Sequence, residues 1–162
     1  MIAGLRPRIG WPFGLVVLAV VIGGCGGGKS YHPTALPSTA TEALIQTALA
    51  QSGIHYHAGG SSPETGFDCS GFTQWVFQQH GVTLPRQSDD QYRVGQGVQA
   101  GQLRLGDLVF FEIEKKGVSH VGIYIDHGWF IHSPSTGESV RKDNLGQQYW
   151  RQHFLGARRI LP

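Results

Sequence analysis

Val118-Ser119-His120-Val121-Gly122-Ile123-Tyr124-Ile125-Asp126-His127-Gly128-Trp129-Phe130-Ile131-His132-Ser133 is the stretch that decides the fold class. Residues alternate along its first half. Val121, Ile123 and Ile125 fall on one face of an extended chain, and His120, Gly122 and Tyr124 on the other. Asp126-His127-Gly128 has turn chemistry, and Trp129 to Ser133 returns as a second strand. A three-residue turn pairs Ile125 with Trp129, sets Pro134 opposite His120, and makes His132 the diagonal neighbour of His120 on the same face. A two-residue turn without a bulge sends His132 to the other face. The spacing permits either.

Outward from this hairpin, Asp107 to Ile113 is a compact apolar run that predicts another strand, and Val140 and Ala157 to Leu161 offer further short ones. Earlier in the chain the period is helical. Thr39 and Glu42 fit a capping box, with Thr39 as N-cap, ahead of Leu44, Ile45, Ala48 and Leu49 at helical spacing; Gly53 stops the helix. His55 to Pro63 is a Gly- and Ser-rich loop. A second helix is predicted to start at Asp68 or Cys69, carry Phe72, Trp75, Val76 and Gln79, and end at Gly81. Ser88 and Gln91 offer another capping box for a short helix ending near Gly95. Helices first and antiparallel strands later predict an α+β domain.

Cys69 sits at the expected start of the second helix. Unpaired N–H groups and the positive end of the helix dipole favour a thiolate there, and the same N–H groups suit a tetrahedral oxyanion. The competing reading is a small cysteine packed into a helix face. A catalytic thiol needs a base, and His120 is the candidate, flanked by the small Ser119 and Gly122; the alternative is a histidine on a half-exposed strand. The base needs an orienting partner, and His132 takes that place if the turn has three residues.

The first residues read as an address. Met1 to Gly10 carries Arg6 and Arg8 and no acid, and Trp11 to Ile22 is apolar apart from Pro12 and Gly14. This is the pattern of a secretory signal peptide, and the run is shorter than a membrane span needs. Ile22-Gly23-Gly24-Cys25 resembles a bacterial lipobox. That likeness implies signal residues 1–24, a diacylglyceryl thioether on Cys25, and a membrane held through that lipid. Gly26 after Cys25, with no Asp there, implies the periplasmic face of the outer membrane. Residues 25–40 then form a flexible tether of about 20 Å, and the folded domain covers 41–162. A lipidated Cys25 leaves Cys69 without a partner in an oxidising compartment, which points again to a reactive thiol.

Composition narrows the classes further. The 162 residues suffice for one domain, and four Trp, five Tyr and eight Phe provide the apolar surface that a disordered chain lacks. Two Cys exclude a disulfide scaffold. Of thirteen basic residues, Arg6 and Arg8 lie in the export segment, which leaves eleven against eleven acidic ones and no basic field to attract nucleic acid.

From Tyr56 to Leu161 the chain resembles the NlpC/P60 family of cell-wall cysteine peptidases. The likeness rests on Tyr56-His57-Ala58-Gly59-Gly60, Asp68-Cys69-Ser70-Gly71-Phe72, Leu84-Pro85-Arg86, Gly106-Asp107-Leu108-Val109-Phe110-Phe111, Ser119-His120-Val121-Gly122-Ile123-Tyr124 and Phe130-Ile131-His132-Ser133. It implies a papain-like fold with N-terminal helices packed on an antiparallel sheet. It also implies Cys69 as nucleophile, His120 as base and His132 as orienter, with Tyr56 and the Cys69 N–H at the oxyanion. Asp68 and Ser70 resemble residues that grip the amine end of a stem peptide, and Ser119 joins that substrate-binding set. Arg86 is either a partner for a substrate carboxylate or a surface charge. The implied substrate is the peptidoglycan stem peptide or its cross-link, with no cofactor and no metal. His57 and Ala58 depart from the family pattern, which has Arg and a bulky residue after the first Tyr, so they bear on the adjoining subsite.

Three alternatives remain. His55 and His57 could bind zinc with His120 or His132, although no His-Glu-x-x-His or Cys cluster supports it. A non-catalytic lipoprotein that binds peptidoglycan or a partner protein would not require a thiol, a helix start and two His in this order. A thiol amidase or acyltransferase would share the acyl-enzyme step.

Overall fold

The computed structural model describes residues 39–113 and 115–162. The expected signal segment, Cys25 and tether residues 26–38 lie outside the described residues, whereas Thr39 and Ala40, expected in the tether, already belong to the first helix. Among the described residues there are four α-helices, α1 (Thr39–Leu49), α2 (Cys69–Gln78), α3 (Ser88–Gln91) and α4 (Gln148–His153), and a 3-10 turn at Ala100–Gln102. The strands are β1 (Ser61–Ser62), β2 (Gly66–Phe67), β3 (Gln96–Val98), β4 (Leu108–Phe111), β5 (His120–Tyr124), β6 (Trp129–His132), β7 (Arg141–Asn144) and β8 (Phe154–Arg159). β1 and β2 form a short ladder, and the others form one antiparallel sheet in the order β3-β8-β4-β5-β6-β7. The α+β expectation holds: helices pack on an antiparallel sheet.

The predicted hairpin forms with the three-residue turn. Ile123 pairs with Ile131 and Tyr124 with Phe130. The Ile125 N–H donates to the Trp129 carbonyl at 2.8 Å, and the Trp129 N–H to the Asp126 carbonyl at 2.7 Å. His127 and Gly128 close the turn at φ 46° and 86°, a conformation Gly128 tolerates without cost. This register puts His120 and His132 on one face.

Both faces of the sheet are covered, so β4 is apolar without alternation. On one face Leu44, Ile45 and Ala48 of α1 and Phe72, Val76 and Phe77 of α2 pack with Leu108, Phe110, Val121, Ile123 and Ile131. On the other face Val109, Phe111, Phe130 and Ala157 pack with Trp150 of α4. The apolar row of β5 thus meets the N-terminal helices, and the row carrying His120 lies beneath α4.

Several boundaries differ from expectation. Thr39 is already helical, so it cannot be the N-cap of α1. Ser88 does not cap α3 either: Gln87 holds that place with no side-chain hydrogen bond. Gln91, taken as the other half of a capping box, is fully buried and bonds to α2 instead. The strand expected over Asp107–Ile113 shortens to Leu108–Phe111: the Asp107 N–H closes a turn onto the Arg104 carbonyl at 3.0 Å, and the Ile113 N–H bonds the Ser119 hydroxyl at 2.8 Å instead of a ladder partner. Val140 precedes β7 rather than forming a strand, and the C-terminal strand starts earlier, at Phe154.

Candidate active site

α2 begins at Cys69 because Asp68 caps it. Asp68 is extended, at φ −86° and ψ 175°, and its Oδ1 accepts the Gly71 N–H at 2.7 Å. Gly71 is required by close packing: a Cβ there would lie 2.1 Å from the Gly60 carbonyl oxygen. The helix start is thereby pressed against the Tyr56–Gly60 loop. Behind it, the buried Gln91 amide donates to the Ser70 carbonyl at 3.0 Å and the Pro85 carbonyl at 2.8 Å, and accepts from the Thr73 hydroxyl at 2.7 Å.

Cys69 and His120 line one cleft of about 490 Å³, together with Tyr56, Ser119, Asp143 and Trp150. The Cys69 thiol is half-buried. Burial and the charge of Asp68 push it up to about 11, and the N–H groups of Val121, Ser70 and Cys69 itself do not offset this. The helix start therefore does not leave a standing thiolate.

His120 is buried, and its Nε2 lies 2.7 Å from His132 Nδ1, with the two rings near perpendicular at 84°. Gly122, which faces β6, makes room for this: a Cβ there would lie 3.1 Å from the His132 Cβ and 2.7 Å from the Phe130 ring. Burial holds His120 well below the usual histidine value, and the neighbouring His132 adds to the effect. Burial also lowers His132, against the opposing pull of Asp143. Both rings are neutral at pH 7.

The constellation extends beyond the three expected residues. His132 Nε2 lies 3.0 Å from Asp143 Oδ2 on β7, and Arg141 Nε donates to the same oxygen at 3.2 Å. Arg141 Nη1 in turn bonds Glu138 Oε2 at 2.7 Å. Burial raises Asp143, but the bonds and charges of His132 and Arg141 outweigh it and hold the carboxyl below its usual value. Trp150 covers the histidine pair, with ring centres 5.8 Å from His120 and 5.0 Å from His132. Neither Asp143 nor Trp150 stands out from sequence. The only signal for Asp143 is a carboxylate in a segment of strand-like length, and its partner depends on how β7 registers against β6.

The remaining expected site residues divide into two groups. Tyr56 lines the cleft, and its backbone N–H donates to the Glu138 carbonyl at 2.8 Å. Ser119 also lines it, with its hydroxyl accepting the Ile113 N–H at 2.8 Å. Asp68, Ser70 and Arg86 instead form a network among themselves. Arg86 bonds both Asp68 oxygens, at 2.9 and 2.5 Å, and the Ser70 hydroxyl at 3.0 Å. Arg86 is thus paired within the chain and is not a lone surface charge. The Asp68 carboxylate also accepts the Gly59 N–H at 3.0 Å. His57 and Ala58 are exposed and are not among the residues lining the cleft. His55 Nδ1 lies 3.3 Å from the Ser139 hydroxyl. Among the described residues no group of three His, Cys, Asp or Glu is placed to hold a metal ion.

The family profile described as NlpC/P60 matches residues 53–159. The chain belongs to the NlpC/P60 family. Murein DD-endopeptidase MepH of Escherichia coli is 37% identical to it over 126 residues, covering 75% of this chain and 46% of MepH. Gamma-DL-glutamyl hydrolase of Bacillus subtilis is 42% identical over 126 residues, covering 76% of this chain and 30% of the relative. Among solved structures, an NlpC/P60 family protein from Bacillus cereus superposes with a TM-score of 0.72 at 41% identity, over 78% of this chain and 42% of that one. The NlpC/p60 domain of peptidoglycan hydrolase SagA superposes at 0.66 and 32% identity, over 74% of this chain and 98% of that one. This NlpC/P60 chain spans less than half the length of both curated relatives named here.

Proposed function

We propose that this NlpC/P60 protein is a peptidoglycan endopeptidase that hydrolyses amide bonds of murein stem peptides, or of their cross-links, through a cysteine nucleophile. The observation that carries this is the histidine pair, His120 to His132 at 2.7 Å, on the cleft that Cys69 enters from the start of α2. The substrate class is supported by the relatives, whose names specify murein and gamma-DL-glutamyl bonds.

With the thiol raised and His120 lowered, the thiol and the imidazole on this cleft are both neutral at rest. His120 takes the thiol proton as the sulfur attacks the scissile carbonyl. The C–S bond forms, and the carbonyl π electrons move to oxygen. The Cys69 N–H, at the open end of α2, and Tyr56 stabilise that oxyanion. Collapse breaks the C–N bond, and imidazolium His120 protonates the leaving amine. Water, deprotonated by His120, then attacks the thioester; the released thiolate takes the proton back, and the product acid leaves. His132 orients His120 throughout.

In the same reading the chain is exported, acylated on Cys25 and held at the periplasmic face of the outer membrane, where its tether lets the domain meet nearby wall. The support is the sequence pattern ahead of Gly26.

The test is mass analysis of purified muropeptides incubated with the protein, beside a Cys69→Ala variant. Thiol-dependent conversion of cross-linked dimers to monomers assigns the cross-link. Monomers shortened at D-Glu assign the bond within one stem. Unchanged muropeptides with both proteins overturn the assignment in favour of a binding lipoprotein.

A further inference from the structure

The bonded rings and carboxylate have a direction. An ionised carboxylate only accepts hydrogen bonds, so the 3.0 Å contact between Asp143 Oδ2 and His132 Nε2 requires the proton on Nε2. In a neutral ring, His132 Nδ1 then carries the lone pair. The 2.7 Å contact to His120 must come from an Nε2–H of His120, which leaves His120 Nδ1 unprotonated. The carboxylate is fixed from its other side by Arg141, bonded at 3.2 Å to the same oxygen and itself anchored to Glu138. These three groups, with His120, are the titratable and charged neighbours facing His132.

Without Asp143 the pair has a second arrangement. His132 can carry its proton on Nδ1 and donate to His120 Nε2. His120 then holds its own proton on Nδ1 and has no lone pair for a thiol. Two bonded neutral imidazoles do not choose between these arrangements by themselves; an acceptor at the far end does.

We propose that Asp143 is a positioning residue that sets the tautomers of both histidines, so that His120 keeps Nδ1 available as the base for Cys69. This rests on the cysteine-peptidase reading above. Arg141 holds the accepting oxygen in place, so the amide oxygen of an Asp143→Asn variant stays toward His132, whereas Asp143→Ala removes the acceptor.

The experiment combines long-range proton–nitrogen NMR of the histidine rings in the purified full chain with muropeptide turnover. The expected result is Nε2–H on both His120 and His132 in the wild type, and a mixture with Nδ1–H in Asp143→Ala. Alongside it, kcat falls about tenfold in Asp143→Ala with KM within about twofold, and Asp143→Asn recovers most of the loss. Nδ1–H on His132 in the wild type overturns the proposal. So does an Asp143→Ala protein with unchanged tautomers and unchanged kcat, or a folded Asp143→Asn variant as impaired as Asp143→Ala. If Asp143→Ala does not fold, the wild-type tautomers and the Asn variant still decide. Loss of the Cys69 dependence of turnover would instead sink the peptidase reading, whereas the tautomers are measured without turnover and test the proton placement independently.

Discussion

Cys69 shows two opposed influences on one atom. Backbone N–H groups at the start of α2 favour the thiolate, while burial and the adjacent Asp68 favour the thiol, and the balance lies at about 11. Iodoacetamide should therefore alkylate Cys69 more slowly at pH 7 than a free cysteine, with the rate still rising above pH 9; fast alkylation at pH 6 would show a preformed thiolate. His120 must be neutral to act, and burial holds its protonation well below 6.5. The acid limb of kcat/KM for muropeptides should then fall below 6.5, with activity retained at pH 6; a midpoint at or above 6.5 contradicts this. His132→Ala should cost less than His120→Ala, because orientation contributes less than proton transfer. Equal losses would mean that the two act as one unit.

At the scale of elements, the site depends on where α2 begins and on how β5 meets β6. Gln91 ties three polar groups of α2 and the Pro85 segment together, so Gln91→Ala leaves the Thr73 hydroxyl and the Ser70 and Pro85 carbonyls without that partner. The expected cost is about 2–4 kcal/mol in urea unfolding, with activity lost alongside as the first turn of α2 loosens. A change under about 0.5 kcal/mol would show that water replaces the amide readily. Gly122 works differently. Its missing side chain lets His132 approach β5, so Gly122→Ala should lower kcat while the melting temperature falls only modestly. Unchanged kcat would mean that the sheet absorbs the methyl group elsewhere.

The folded domain buries His120 and His132 inside a sheet covered on both faces, with Trp150 over them. That arrangement makes stability depend on pH. His120 and His132 have folded values below 6.5, so the unfolded chain binds more protons as pH falls past 6.5. Their contribution is fully present above that value and is lost as pH falls toward the folded values. The melting temperature should drop between pH 7 and pH 5, and His132→Asn should flatten that drop. An equally steep drop in the variant would assign the effect to other groups. Elsewhere, the buried Asp107 carboxylate joins Arg159 of β8 to the start of β4. Asp107→Ala should cost about 3 kcal/mol by stranding that guanidinium.

The sequence by itself determined the α+β class, narrowed the start of the second helix to Asp68 or Cys69, and narrowed the His120–His132 hairpin to two registers. Each follows from short-range rules: strand alternation around His120, turn chemistry at Asp126-His127-Gly128, and the helical spacing of Phe72, Trp75 and Val76. Such signals lie within a few residues of what they control. Only the tertiary structure decided that the turn has three residues, that Gln91 turns inward rather than capping a helix, and that Arg86 closes on Asp68. It also brought Asp143 to His132 and Trp150 over both rings. These contacts join segments whose mutual placement depends on loop paths and on β8 entering the sheet between β3 and β4. The charge state of Cys69 is tertiary for the same reason, since the helix start is local but the burial that raises the thiol comes from the rest of the fold.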